Sequence, residues 1–97
     1  MTQYIFSVVW MRGPAPLVVV IVDPSYGHLG SAAQTKVRSE ITTAAARSGL
    51  VGEVALAWDL GNGKVAYLGP EGHRNLVTSG GLRRLQAAVN KKLVCNF

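Results

Sequence analysis

The chain opens with two apolar runs separated by a short proline-rich break, and this pattern predicts two β-strands. Residues 3–10 (QYIFSVVW) and 17–22 (LVVVIV) are rich in β-branched and aromatic side chains, which favour extended backbone. The intervening "MRGPAP" at 11–16 predicts a turn, because proline withholds a ladder donor and glycine accepts unusual dihedral angles. The uninterrupted apolar run at 17–22 is typical of a central strand that is covered on both faces.

Helical spacing follows the second strand, and two more strands follow the helix. Residues 31–48 predict this first helix, which Ser31 caps and Gly49 ends. Its apolar face would comprise Ala33, Val37, Ile41, Ala44 and Ala45. Residues 53–59 and 64–68 predict two strands that form a hairpin through "LGNG", because Asn-Gly accepts positive φ angles.

A second helix is predicted over residues 80–93, which gives the element order ββαββα. Its apolar side would comprise Leu82, Leu85, Val89 and Leu93. The helix between the second and third strands predicts a right-handed crossover, which makes those two strands parallel. We predict a single domain over residues 1–97, of the α+β class, with a mixed four-stranded sheet and two helices.

Strict alternation along the four strands sorts their side chains into a bulky face and a shallower one. The bulky set comprises Tyr4, Phe6, Val8, Trp10, Val54, Leu56, Trp58, Val65 and Tyr67. The other set comprises Ile5, Ser7, Val9, Ala55, Ala57, Ala66 and Leu68. Because neither face is polar, both need a cover. We expect two helices on one face and a second copy of the chain on the other; the alternative is a monomer with helices on both faces.

Composition limits the class of protein and favours one kind of partner. The 97 residues are 48% hydrophobic and include one cysteine, Cys95, which excludes an internal disulfide and suits a reducing cytoplasm. Neither apolar run near the beginning reaches the about 20 residues that span a bilayer, so we expect no signal peptide and no membrane partner. Ten Lys or Arg against five Asp or Glu give a formal charge of +5, which favours a polyanion such as nucleic acid.

The segment "TSGGLRRLQAAVNKKL" at 78–93 is the most specific candidate for ligand binding. A serine cap would leave the amides of residues 80–82 at the positive end of the predicted helix, where an anion is favoured. The predicted anion-binding residues are Ser79, Gly80, Gly81, Arg83, Arg84, Lys91 and Lys92. The alternative interpretation is a capped amphipathic helix with a solvated basic face.

Two carboxylates, Asp23 and Asp59, follow strands whose carboxyl ends meet at one edge of the predicted sheet. Such a pair can hold a divalent metal for phosphodiester cleavage, but each carboxylate also begins a turn, which explains it without chemistry. His28, His73 and Cys95 lack the spacing of a zinc site, and "DPSYGHLGS" lacks the lysine of a phosphate loop. We therefore expect no metal and no cofactor, and we assign no catalytic residue.

Three short segments stand out together: "KVRSEI" at 36–41, "GEVALAW" at 52–58 and "GHRNLVTSGGLR" at 72–83. They resemble the second half of the small CRISPR adaptation nuclease subunit. The resemblance implies a ferredoxin-like dimer bound to DNA. It covers about half of the chain. "RGPAPLVVVIV" at 12–22 stands where that family has its first helix, and the tail of this chain is predicted to be helical and not extended, so we do not assign the chain to the family.

The sequence favours a small, non-enzymatic, homodimeric protein that binds nucleic acid or another phosphate-bearing polyanion through its last helix. One alternative is a protein-interaction module whose apolar sheet face docks a partner and whose charge serves only solubility. The other is a metal-dependent phosphodiesterase, a ferredoxin-like dimer that uses Asp23 and Asp59.

Overall fold

A computed structural model describes residues 3–96, which form a five-stranded mixed sheet with helices on both faces. The strands are β1 (Gln3–Met11), β2 (Leu17–Ile21), β3 (Glu53–Asp59), β4 (Val65–Leu68) and β5 (Lys91–Asn96). The helices are α1 (Ser31–Arg47), α2 (Arg74–Thr78) and α3 (Gly81–Ala87), with 3₁₀ turns at Pro24–His28 and Glu71–His73. The predicted α+β class and mixed sheet are confirmed.

The strand order is β4-β3-β2-β1-β5, and β2 and β3 form the one parallel pair in this sheet. These two strands are joined by α1, as the sequence predicts, and lie side by side with Val18 opposite Val54. A ferredoxin-like fold instead has a split βαβ unit, in which another strand separates the parallel pair. The topology of residues 3–96 therefore does not match the fold that the resemblance implies.

The predicted second helix over residues 80–93 is wrong in its second half, because the chain becomes a fifth strand there. The helix α3 ends at Ala87, and residues 91–96 pair with β1 in antiparallel register. Leu93 and Cys95 are buried, whereas Lys92 and Val94 are exposed. This period of two is that of a strand, and pairing with β1 satisfies backbone groups that would otherwise form a sheet edge. A further helix, α2, raises the number of helices in the described chain from two to three.

The sheet separates two cores, which we call the α1 face and the α3 face. Fully enclosed side chains on the α1 face are Val8, Val18, Val20, Ile41, Leu56 and Leu93. The α3 face holds Val9, Leu17, Val19, Ala55, Ala57, Val77 and Leu85. Because helices of the same chain lie over both faces, the apolar faces alone give no reason for a second subunit.

The pairing of β3 with β4 differs by one residue from the pairing that the predicted grouping of side chains assumes. Asp59 pairs with Val65 and Ala57 with Tyr67, so Val65 and Tyr67 lie on the α3 face and not with the bulky set. Leu68, predicted on the shallower face, packs on the α1 face. The cause is a five-residue loop, closed by a hydrogen bond from the Leu60 N–H to the Lys64 carbonyl oxygen.

The ends of α1 match the prediction at one terminus and differ at the other. Ser31 is the first helical residue and not the cap, because Gly30 occupies the N-cap position and makes no side-chain bond. At the other end Gly49 has a φ of +78°, the left-handed conformation that commonly follows a helix.

None of the helices within residues 3–96 is long and apolar enough to cross a bilayer.

Candidate anion-binding surface

The glycine turn before α3 is occupied by the chain itself. Ser79 ends α2 and does not cap α3, whose N-cap is Gly80 with a φ of +87° and no side-chain hydrogen bond. The Leu82 N–H, predicted to point outward, donates instead to the carbonyl oxygen of Gly63 in the β3–β4 hairpin, at 3.1 Å. Gly81 is also pressed against the hairpin, since an added Cβ would lie 2.7 Å from that same oxygen. This turn therefore anchors α3 to the hairpin.

The two arginines of α3 are exposed beside this turn. Arg84 folds back over the glycines, since a Cβ at Gly80 would lie 2.5 Å from the Cδ of Arg84. On the opposite side of the helix Leu85 is buried against the sheet, so Arg83 and Arg84 both project away from the core. Their placement agrees with the predicted basic face.

The two lysines, predicted to continue the basic face of a helix, are on β5 instead. Because consecutive residues of a strand point to opposite faces, Lys91 and Lys92 diverge. Lys92 lies on the α3 face, where its Nζ donates a hydrogen bond to the Ser7 Oγ at 2.9 Å. Lys91 lies on the α1 face, with its Nζ 5.7 Å from the centre of the Trp10 ring.

Trp10 is the centre of a cationic cluster at the end of β1. The guanidinium carbon of Arg12 lies 4.0 Å from the ring centre, so the ring contacts two cations, Arg12 and Lys91. The indole N–H donates to the carbonyl oxygen of Val51 at 2.9 Å. The side chain of Asn90 accepts from the Trp10 N–H at 2.8 Å and donates to the Trp10 carbonyl oxygen at 3.0 Å. The Asn90 side chain thus extends the hydrogen bonding between β1 and the start of β5, while the bond to Val51 fixes the ring.

Sequence reasoning missed this cluster, although signals for it are present. Trp10 and Arg12 are two residues apart, which places them on one side of extended backbone. The alternation of Leu93 and Cys95 with Val94 predicts a strand, and a strand would have separated the two lysines. The helical spacing from Leu82 to Leu93 concealed that alternation.

The charge distribution along the chain is strongly uneven. Residues 72–97 hold five of the ten Lys and Arg residues and none of the five Asp and Glu residues. Arg74 is neutralised by Glu71, with 2.7 Å between Nη2 and Oε1, and this is the one ion pair within residues 3–96. We use the name basic surface for the remaining four cations and Arg12. It extends over both faces of the sheet, since Arg12 and Lys91 lie with Trp10 on the α1 face and the other three cations lie on the α3 face. Its members are Arg12, Arg83, Arg84, Lys91 and Lys92, all exposed.

The two candidate metal-binding carboxylates each hold a turn. The Asp23 side chain accepts a hydrogen bond from the Ser25 N–H at 2.8 Å, and hydrogen bonds from the Ser25 backbone and side chain lower the pKa of Asp23. Asp59 accepts from the Gly61 N–H at 2.9 Å in the hairpin. Within residues 3–96 no three His, Cys, Asp or Glu side chains converge as a metal site would require. These contacts favour the architectural interpretation of both carboxylates.

The histidines and the cysteine lie apart from the basic surface. His28 lines a cleft of about 420 Å³ beside Trp58 and Asp59, where β2 and β3 end. His73 lies in the second 3₁₀ turn. Cys95 is buried between β5 and α1, and burial raises the pKa of its thiol. A buried protonated thiol is a poor nucleophile, so Cys95 does not provide a nucleophilic centre.

Comparison of the chain with protein-family models, with curated proteins and with solved structures found no match.

Proposed function

We propose that the protein binds nucleic acid through the basic surface. The observation that carries this proposal is the absence of any Asp or Glu between residues 72 and 97, combined with the exposure of the four cations that have no acidic partner there. Exposed cations without acidic neighbours attract phosphates, and binding releases the counterions condensed on the nucleic acid.

The arrangement of the cations favours side-chain contacts over capture by backbone amides. The Leu82 amide is already bonded to Gly63, so the turn before α3 has one donor fewer for a phosphate. Guanidinium groups supply a planar fork of donors that suits phosphate oxygens. Arg83 and Arg84 on α3, which the sequence already singled out, are therefore the principal proposed contacts.

Trp10 and Ser7 restrain two other parts of the surface before any ligand arrives. Arg12 is held against the Trp10 ring, and the ammonium group of Lys92 is held by the Ser7 hydroxyl. A cation that is already ordered loses less conformational entropy when it meets a phosphate. The ordered cations would contact the phosphate backbone of the nucleic acid and not the bases, which predicts binding with little sequence preference.

The test is fluorescence anisotropy of a labelled mixed-sequence oligonucleotide, single-stranded and duplex, titrated with the full chain over a range of salt concentrations. The variant Arg83→Gln/Arg84→Gln should bind more weakly. Its plot of log affinity against log salt should be shallower by about 0.7 to 0.9 for each phosphate that the variant no longer neutralises.

The matched control is Lys36→Gln/Arg38→Gln, which removes the same charge from exposed positions of α1, on the face of the sheet opposite to α3. If the two double variants weaken binding equally, net charge and not this surface governs binding. If the parent chain fails to retain either oligonucleotide at low salt, the proposed function is wrong.

A further inference from the structure

The outer edge of β5 is an open sheet edge. Within residues 3–96, β5 has a strand neighbour on one side, β1, and none on the other. In an antiparallel ladder every second residue of such a strand directs its N–H and C=O away from its neighbour. These groups form a template for another strand unless prolines, bulges or charges block them. On β5 the charges are confined to Lys91 and Lys92 at its first two positions.

An apolar spot lies beside this edge, beyond the reach of α3. Val94 and Ile5 are opposite each other in the β1–β5 register, and both lie on the α3 face. These residues are 44% and 66% exposed, so both belong to the exposed large hydrophobic residues of the described chain. A strand added to β5 would pack its own side chains next to Val94 and shield part of this spot.

A hollow on the α1 face follows the same edge and carries charges of both signs. Its lining includes Glu40, Thr43, Ala44 and Arg47 from α1, together with Val94 and Cys95 from β5. Glu40 and Arg47 are seven residues apart, or about two helical turns, so they share one side of the helix. The midpoint between them falls at Thr43 and Ala44, which line the hollow together with Cys95 and with Val94, although the Val94 side chain lies on the α3 face.

We infer that two copies of the chain associate by antiparallel pairing of β5 with β5 about a two-fold axis near Val94. This axis brings Val94 next to its own copy and sets Lys92 opposite Asn96, so that no like charges face each other in the ladder. Because a two-fold interface is self-complementary, the axis also runs α1 antiparallel to its copy. Glu40 of each chain then faces Arg47 of the other.

The charge pattern identifies the occupant as a second copy and not an unrelated strand. Any extended peptide could pair with the backbone groups of β5. Glu40 and Arg47, however, lie on either side of the part of α1 that is next to Val94, where the proposed axis passes. A second copy of this chain would therefore form two Glu40–Arg47 ion pairs, which an unrelated strand would not. The inference does not rest on nucleic-acid binding, and each can fail without the other.

The first test measures the mass of the full chain by light scattering and sedimentation over a wide range of concentrations, without nucleic acid. The parent should show twice the mass of a single chain. Val94→Lys should shift it to the single-chain mass, because two lysines would meet on the axis. Leu60→Lys is the matched control, since Leu60 is 56% exposed in the distant hairpin and should leave the dimer intact.

The second test exchanges the charges, with circular dichroism used to confirm that each variant is folded. Glu40→Arg and Arg47→Glu should each raise the dissociation constant of the dimer about tenfold, because each places like charges together twice. The double variant Glu40→Arg/Arg47→Glu restores opposite charges and should return the constant close to that of the parent. A monomeric parent, equal effects of Val94→Lys and Leu60→Lys, or no recovery in the double variant would overturn the inference.

Discussion

The two helical layers close the same sheet in different ways. On the α1 face a single helix of 17 residues lies over large side chains such as Leu56 and Trp58. On the α3 face two helices of 5 and 7 residues lie over Ala55 and Ala57. A long helix supplies enough apolar surface to cover a deep layer, whereas short helices need small sheet residues that let the backbone come close. The two faces of β3 thus differ most clearly, with large side chains toward α1 and alanines toward α2 and α3.

The α3 layer depends on a close approach where the chain leaves β4. A Cβ at Gly69 would lie 2.6 Å from the Cβ of Ala55 and 2.9 Å from the Oη of Tyr67. The Tyr67 hydroxyl donates to the carbonyl oxygen of Pro70 at 2.7 Å, which ties this segment to β4. The α3 face is thus closed by a close approach of the backbone, whereas the α1 face is filled by large side chains. The two layers should therefore respond differently to substitution.

The largest expected difference concerns one leucine on each face. Leu56→Ala should lower the free energy of unfolding by about 3 to 4 kcal/mol, because a fully enclosed leucine leaves a cavity between the sheet and α1. Leu85→Ala should cost about 2 kcal/mol, because Leu85 is not fully enclosed and its truncation leaves a smaller cavity. Urea unfolding of both variants measures this, and a larger loss for Leu85→Ala would reverse our view of the two layers.

The next effect tests the close approach on the α3 face directly. Gly69→Ala should lower the free energy of unfolding by about 2 kcal/mol, because the new methyl group overlaps the Cβ of Ala55 and backbone must move. Gly72→Ala is the control, since a Cβ there meets nothing within 4 Å. Thermal and urea unfolding of both variants should separate them, and equal stability would show that the α3 layer is not held by this contact.

The smallest effect is a dependence of stability on acid that involves one exposed carboxyl in each layer. Hydrogen bonds from Ser25 lower the pKa of Asp23 below its ordinary 3.8, and the hydrogen bond and charge of Arg74 lower the pKa of Glu71 below its ordinary 4.5. Because both values are depressed in the folded state, the stabilisation is present above the ordinary values. It is lost as the pH falls through the folded ones.

Urea unfolding near neutral pH and at about pH 3 tests this dependence. Asp23→Asn keeps an acceptor for the Ser25 N–H and should remove part of the loss in acid, and Glu71→Gln should remove another part. If both variants lose as much free energy of unfolding in acid as the parent does, the loss comes from other carboxyls.

Local patterns predicted much of this fold, and the two main errors have different causes. The first four strands, α1 and the parallel pairing follow from runs of apolar residues, turn residues and the crossover rule, all of which act over short stretches of chain. The error at residues 91–96 arose because the partner of β5 is β1, about eighty residues away, and helical spacing of leucines gives no sign of so distant a neighbour. The pairing of Asp59 with Val65 has a local cause instead, since it depends on how the five-residue loop closes.

The candidate site was predictable in part for the same reason. Arg83 and Arg84 are exposed on a helix as predicted, because a seven-residue helix needs only its own sequence to set its faces. Lys91 and Arg12 meet at Trp10 although they are about eighty residues apart in the sequence. No local sequence pattern predicts a contact between such distant residues. The carbonyl oxygen of Gly63 likewise reaches the turn before α3 from another hairpin.

The Asn90 clamp on Trp10 has a consequence for how the protein is made. The two residues are eighty positions apart, so β1 leaves the ribosome long before the strand that completes its pairing. During that interval one side of β1 stays open next to the nascent β2, and folding must wait for a long-range encounter, which is slow. The time needed to translate residues 12–90 therefore sets how long the open edge of β1 remains available to chaperones.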